Sequence, residues 1–232
     1  MRFGLAGFVV AAHLVGTTLA LGAPVPAVDP SAACVRAATV AERRWGLPAH
    51  LLEAIGMVES GRRDPDSGQP LPWPWSVNVA GAGYVFGAAT AAGAAVGLFQ
   101  AHGVTSIDVG CFQVNLHYHP DAFASVAEGF NPAANGDYAG RFLRALFQRS
   151  GSWEEAIGDY HSADRGLGGA YRARVLRAWR RLDAGMVLPA PSDPHVILAT
   201  ASVAAIPVYT PVTVPASLRA ALGLPPLRLT HP

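Results

Sequence analysis

The chain has 232 residues, of which 51% are hydrophobic and only 14% are charged. This composition can build one sizeable core and leaves some chain over. The formal net charge is +1, which excludes a general electrostatic attraction to nucleic acid.

Residues 1–23 are predicted to be a secretory signal peptide. Arg2 precedes a long apolar run, and small residues then offer cleavage points between about residues 20 and 27. An uncleaved anchor is the alternative, because the apolar run is near the lower length limit for a membrane span. We expect a soluble protein exported to the periplasm.

Two helices are predicted next. Asp29, Pro30 and Ser31 form a capping sequence for a helix over about 31–45, which Gly46 ends. Pro48 is placed to open the second helix at its first turn.

Beyond the second helix the pattern predicts a mixed but mainly helical chain. Residues 75–86 alternate around an Ala-Gly-Ala-Gly turn and favour a β-hairpin. The other predicted elements are a helix over 88–102, a strand over 105–109, and helices over about 120–128, 132–149, 152–161 and 167–183. The fold class is therefore α+β, mainly α-helical, with one domain over residues 30–185.

Residues 186–232 are predicted to form a Pro-rich C-terminal tail. Nine of the 19 prolines fall in these 47 residues, and no helical period is present. Such a segment is either a disordered end or a docking segment for a secretion-system or cell-envelope partner.

Glu59 lies at an unusual place in the second predicted helix. At helical spacing it is in line with the apolar residues Ile55, Leu52 and Leu51, near the helix end. Burial and the negative end of the helix dipole both favour a protonated carboxyl, as a general acid requires near neutral pH. The alternative is a glutamate that pairs with Arg62 or Arg63 and has no chemical role.

Four motifs in order resemble those of the soluble lytic transglycosylases, lysozyme-like enzymes that cut peptidoglycan. They are Glu59-Ser60, G110-C-F-Q113, N131-P-A-A-N135 and Y160-H-S-A163. The resemblance covers about residues 33–182 and is closest to the small exported members associated with secretion systems. It implies a lysozyme-like transglycosylase domain, here with a small β-hairpin insertion.

The resemblance also implies roles for single residues. Glu59 is the expected catalytic acid, and the family's sugar-binding glutamine corresponds to Gln113. Asn115 lies two residues further on and is its expected companion, since an amide can bind both N-acetyl and hydroxyl groups. The remaining expected substrate-binding residues are Ser60, Tyr160 and His161.

The sequence departs from the family pattern at two positions. Phe112 stands where the family usually has methionine, and His161 where it usually has asparagine. About fifty residues separate Glu59 from Gln113, more than in compact members. The aromatic residues of this insertion either stack on sugars or hold the hairpin to the core; they are Trp73, Trp75 and Tyr84.

The expected reaction cleaves the MurNAc-β-1,4-GlcNAc bond and leaves a 1,6-anhydro-MurNAc end. The expected partners are peptidoglycan glycan strands, without nucleic acid, metal or other cofactor. One alternative is a hydrolytic lysozyme of the goose type, in which Asp108 or Asp64 positions a water. Another is a non-catalytic peptidoglycan-binding factor in envelope assembly.

A disulfide is predicted between Cys34 and Cys111. These are the chain's two cysteines, and both follow the signal peptide of a protein bound for an oxidising compartment. Cys111 is two residues before Gln113, so the bridge would tether the active-site strand to the helical core. The alternative is a pair of buried free thiols.

Overall fold

The structure is a computed structural model that describes Met1, residues 29–64 and residues 67–185. The predicted tail and, apart from Met1, the predicted signal peptide lie outside the described residues. In the part of the chain that is described, no helix is long and apolar enough to cross a membrane.

The described fold is α+β and mainly helical, as predicted. The helices are α1 (Pro30–Trp45), α2 (Leu51–Glu59), α3 (Ala89–Ala101), α4 (Val126–Gly129), α5 (Pro132–Ser150), α6 (Trp153–His161) and α7 (Arg165–Asp183). The strands are β1 (Arg62–Arg63), β2 (Pro70–Leu71), β3 (Ser76–Val79), β4 (Ala82–Val85), β5 (Ile107–Val109) and β6 (Val114–Asn115).

The predicted hairpin is confirmed, but it belongs to a larger sheet. Strands β3 and β4 pair through a two-residue turn in which Ala80 and Gly81 both have positive φ, 51° and 83°. Strands β5 and β6 extend the hairpin into a four-stranded antiparallel sheet of order β4-β3-β5-β6. Strands β1 and β2 form a separate two-stranded sheet.

The buried hydrophobic residues form two cores. The larger one lies among α1, α2, α5, α6 and α7, and the smaller one joins the four-stranded sheet to α3. In the larger core α1 packs along α5, while α7 contacts both α2 and α6. The turn between β5 and β6 connects the two cores, since Val109 belongs to the smaller and Cys111 to the larger.

Helix α2 begins three residues later than predicted. His50 precedes it in the left-handed conformation, with φ 61°, so the residues from Pro48 to His50 form a turn. The carboxylate of Glu42, on α1, accepts hydrogen bonds from the backbone N–H groups of His50, Leu52 and Glu53 at 2.9–3.2 Å. A side chain of another helix thus satisfies the free N–H groups at the start of α2.

The prediction of a helix over 120–128 is wrong for most of its length. Residues 120–125 form turns and bends, and only Val126–Gly129 is helical. Ser125 caps this short helix by accepting a hydrogen bond from the Glu128 N–H. The capping side chain fixes the helix start at Val126, six residues after Pro120.

The predicted disulfide is confirmed. Cys34 and Cys111 are bonded, with their Cα atoms 5.7 Å apart, and both residues are fully buried. The bond joins the first turns of α1 to the β5–β6 turn across 77 positions of sequence.

The double variant Cys34→Ser/Cys111→Ser is expected to lose stability by about 4–5 kcal/mol, the chain-entropy value for a loop of this length. Urea unfolding of the oxidised protein and of the variant measures the difference. Reductant should lower the midpoint of the wild-type protein and leave the variant unchanged. Coincident midpoints for oxidised wild type and variant would contradict a stabilising role for the bond.

Candidate active site

Glu59 is the last residue of α2, and the buried stripe predicted for this helix is present. Leu51, Leu52 and Ile55 are all fully buried, whereas Glu59 itself is half-buried. The carboxyl therefore lies at the edge of the helical core, enclosed by protein but reachable from solvent. This is the position that a proton donor to an external substrate requires.

Groups from three other elements surround this carboxyl. Tyr160 comes from α6, Tyr171 and Arg174 from α7, and Asp108 from β5. The charges of Asp108 and Arg174 act on Glu59, and burial and the charge of an ionised Glu59 raise the pKa of both tyrosines. The Tyr171 hydroxyl is close enough to favour the ionised carboxylate, but it makes no hydrogen bond of good geometry with any described residue. The hydroxyl can therefore donate a stronger hydrogen bond to Glu59 when that carboxyl becomes charged.

Burial raises the pKa of Glu59 from its ordinary value of 4.5 to about 8. The Tyr171 hydroxyl opposes this rise, the charge of Asp108 adds to it, and the charge of Arg174 opposes it. Burial also raises the pKa of Asp108, to about 6, against a hydrogen bond from Asn115. At neutral pH Glu59 is thus mainly protonated and Asp108 mainly ionised, an arrangement that separates an acid from a base.

Ser60 fixes the end of α2 to the β5–β6 turn. Its hydroxyl donates to the carbonyl oxygen of Cys111 at 2.6 Å and accepts from the N–H of Trp73 at 3.0 Å. The side chain is buried, so this hydroxyl is engaged inside the protein. The geometry gives Ser60 the task of positioning Glu59, while a contact with substrate stays a prediction.

Gln113 has an uncommon backbone conformation, with φ 48° in the left-handed region that disfavours a non-glycine residue. Its side-chain Nε2 donates to the carbonyl oxygens of Gly110 and Ser76, at 2.9 and 3.2 Å. These bonds hold the half-buried side chain in one orientation and leave Oε1 as an acceptor. Backbone strain that the surroundings maintain in this way is typical of functional residues.

Asn115 acts within the sheet. Its Nδ2 donates to Asp108 Oδ1 at 2.7 Å and to Ser106 Oγ at 3.0 Å. Its Oδ1 accepts from the N–H groups of His117 and Tyr118. The amide therefore holds Asp108 and the turn after β6, and its predicted contact with substrate would have to replace one of these bonds.

Tyr160 and His161 end α6 on the side of Glu59. The Tyr160 hydroxyl donates to the carbonyl oxygen of Phe112 at 2.8 Å, which leaves it able to accept a hydrogen bond. The exposed ring of His161 stacks on the ring of Tyr171, with centroids 4.7 Å apart. Although the residue is exposed, partial burial of its ring and the charge of Arg174 lower the pKa of His161, so a neutral imidazole lies against Tyr171.

The aromatic residues of the insertion divide into two groups. Tyr84 is buried in the smaller core against Phe99, so it holds the hairpin to the core and offers no sugar-stacking face. Trp73 and Trp75 are half-buried and meet edge to face at 5.6 Å. The guanidinium of Arg62 lies 4.5 Å from the centre of the Trp73 ring.

Two residues of this site were not predicted from the sequence. At helical spacing Tyr171 belongs to the apolar stripe of α7 and Arg174 lies off it, yet both interact with Glu59. The sequence does contain one sign of a role for Tyr171, since it places a hydroxyl group on the otherwise apolar stripe of α7. No local pattern marks Arg174, because its role depends on how α7 packs against α2.

No protein-family model, curated protein or solved structure matches this chain. The resemblance to lytic transglycosylases therefore rests on the four motifs. The geometry places residues of the first, second and fourth motifs together, through the bonds of Ser60 to Cys111 and of Tyr160 to Phe112. The third motif joins them through Asn135, which is fully buried and accepts a hydrogen bond from the Phe112 N–H at 2.9 Å.

Glu59→Gln is expected to stabilise the protein at alkaline pH. Because the pKa is higher in the folded than in the unfolded state, the unfolded chain releases a proton that the folded chain keeps. Stability therefore falls as pH rises from about 4.5 to about 8. The neutral amide removes this loss, by an amount on the order of 1–3 kcal/mol after screening of the half-buried group.

Thermal unfolding at pH 4 and pH 9 measures this effect. The variant should unfold near the wild-type temperature at pH 4 and above it at pH 9. Glu154→Gln, which removes an exposed carboxylate of α6, controls for the change in net charge. A variant less stable than wild type at pH 9 would show that the ionised carboxylate of Glu59 is held by favourable contacts.

Proposed function

We propose that this protein is a peptidoglycan lytic transglycosylase of the periplasm, with Glu59 as its catalytic acid and base. The observation that carries the proposal is a half-buried carboxyl at the end of α2 whose pKa is raised to about 8. The four motifs supply the substrate class. The disulfide and the leader-like N-terminal sequence support export, since such bonds persist in oxidising compartments.

In the first step Glu59 donates its proton to the oxygen that links MurNAc to GlcNAc. The bond between that oxygen and the anomeric carbon breaks, and the acetamide oxygen of MurNAc bonds to the carbon in its place. The Glu59 carboxylate is now charged within an enclosed site. The Tyr171 hydroxyl, which lacks a well-formed hydrogen bond among the described residues, is available to stabilise it.

In the second step the Glu59 carboxylate takes the proton of the C6 hydroxyl of the same MurNAc. The C6 oxygen bonds to the anomeric carbon, the acetamide oxygen leaves, and a 1,6-anhydro ring results. Glu59 regains its proton and no water is consumed. Because the nucleophile is part of the substrate, the reaction depends on positioning and on the exclusion of water.

Gln113, Tyr160 and His161 are the proposed sugar contacts. Gln113 offers Oε1 as an acceptor for a hydroxyl or an acetamide N–H, and the Tyr160 oxygen can accept a further hydrogen bond. Ser60 and Asn115 support them by holding the acid and Asp108 in place.

Hydrolysis by a lysozyme-like mechanism is the second candidate function, and one observation favours it. Asp108 interacts with Glu59, and its own pKa of about 6 leaves it mainly ionised at neutral pH. A carboxylate in this state could activate a water molecule, as the second carboxylate of an inverting glycosidase does.

A non-catalytic peptidoglycan-binding factor is not favoured, because a binding protein without activity has no need of a protonated buried acid.

The products formed from purified sacculi test the proposal. Mass spectrometry should find muropeptides with 1,6-anhydro ends, which weigh one water less than the reducing ends that hydrolysis produces. Reducing ends would favour the lysozyme mechanism. No release of muropeptides by the mature, oxidised protein would contradict both enzymatic functions.

Glu59→Gln should lower the rate of this release at least about a thousandfold, because the only proposed proton donor is lost. Asp108→Asn keeps the size of the side chain and its contact with Asn115 but removes the charge. It should retain appreciable activity if the reaction is a transglycosylation. A loss as large as that of Glu59→Gln would assign Asp108 the role of a base.

A further inference from the structure

A groove between α2 and α7 opens next to the candidate active site. It encloses about 330 Å³, and residues 69–71 form its third wall. Met57, Val58 and Leu182 contribute apolar surface to its lining. Val58 directly precedes Glu59 in the chain, so the groove begins within one residue of the acid.

Three arginines of α7 line this groove. Arg174, Arg177 and Arg181 are three and four positions apart, a spacing that places them on one face of the helix. All three are exposed, and none forms an ion pair with a described residue. The one carboxylate in the lining is that of Glu53, which lies 3.2 Å from the ring of His50.

Arg174 connects the groove to the reacting centre. Its charge acts on Glu59, and its guanidinium lies 5.7 Å from the centre of the Tyr171 ring. A single ligand could therefore reach both places. If it branches beside the bond to be cut, its branch can carry an anionic group along the arginines while the bond lies at Glu59.

We propose that this groove binds the carboxylate-bearing peptide stem of the glycan strand. The inference rests on the proposed function, because in peptidoglycan a peptide branches from each MurNAc next to the bond that Glu59 would protonate. Guanidinium groups form paired hydrogen bonds with carboxylates, and the apolar lining suits the methyl groups of alanine. The concave shape of the groove favours a peptide over a flat anionic membrane surface.

The test compares Arg177→Gln/Arg181→Gln with Arg172→Gln/Arg180→Gln. Both double variants remove two positive charges from α7, but Arg172 and Arg180 do not line the groove. Calorimetric titration of the mature protein with a disaccharide tetrapeptide and with the peptide-free disaccharide measures the contribution of the stem. This measurement needs no cleavage, so it is independent of the proposed catalysis.

The wild-type protein should bind the tetrapeptide form roughly tenfold more tightly, the size expected of two exposed charge-assisted contacts. Arg177→Gln/Arg181→Gln should lose this preference, and Arg172→Gln/Arg180→Gln should keep it. Equal affinities of the wild type for the two ligands, or an equal loss in both variants, would overturn the proposal.

Two further measurements separate the other outcomes. Vesicles of phosphatidylcholine and phosphatidylglycerol test the membrane alternative. If binding to them depends on Arg177 and Arg181 and the protein shows no preference for the stem, the groove belongs to a membrane surface and the proposal is overturned. Cleavage of sacculi and of strands stripped of their peptides tests the proposed function separately. A stem preference in binding with no cleavage of either substrate would support the groove and refute the catalysis.

Discussion

The structure around Glu59 depends on how the turn of residues 110–113 is held between the two cores. A disulfide fixes Cys111 to α1. Ser60, at the end of α2, donates a hydrogen bond to the carbonyl oxygen of Cys111, and Tyr160 of α6 donates one to the carbonyl oxygen of Phe112. Asn135 adds hydrogen bonds from α5, accepting from the Phe112 N–H and donating to Val109 and Gly129. The turn thus positions the ends of α2 and α6, and with them Glu59 and Tyr160. Helix α7 brings its own groups to Glu59 by packing against α2.

Small residues make this arrangement possible. The Phe112 ring is fully buried between α2 and α5, where Gly56 and Gly136 would each bring an added Cβ to 3.0–3.1 Å from it. Gly110 is needed for two reasons, since its φ is 84° and an added Cβ would lie 2.6 Å from the carbonyl oxygen of Gly129. The phenylalanine that departs from the family pattern is therefore a packing residue, fitted to two glycine surfaces.

Periodicity and capping were sufficient to predict the long helices, the hairpin and the burial stripe below Glu59. They failed where a distant side chain decides the local structure, as when Glu42 of α1 caps α2. The four motifs come together in one region of the fold, but the sequence does not distinguish the separate tasks of their residues. The polar side-chain atoms of Ser60 and Asn115 form hydrogen bonds within the protein. Tyr171 reaches Glu59 only because α7 packs against α2. Such pairings cannot be deduced from spacing along the chain.

The site combines two requirements that oppose each other. A proton donor near neutral pH needs burial, and the same burial makes its charged form unfavourable in both the resting protein and the reaction. The arrangement at Glu59 limits this conflict by keeping the carboxyl half-buried and by placing Tyr171 and Arg174 beside it, both of which favour the ionised form. Desolvation still dominates, so the resting acid stays protonated, while the charge that appears after proton donation finds a hydroxyl and a guanidinium already in position. The packing of α7 against α2 keeps this hydroxyl and guanidinium close to the carboxyl, and the fixed turn holds the end of the helix that carries it.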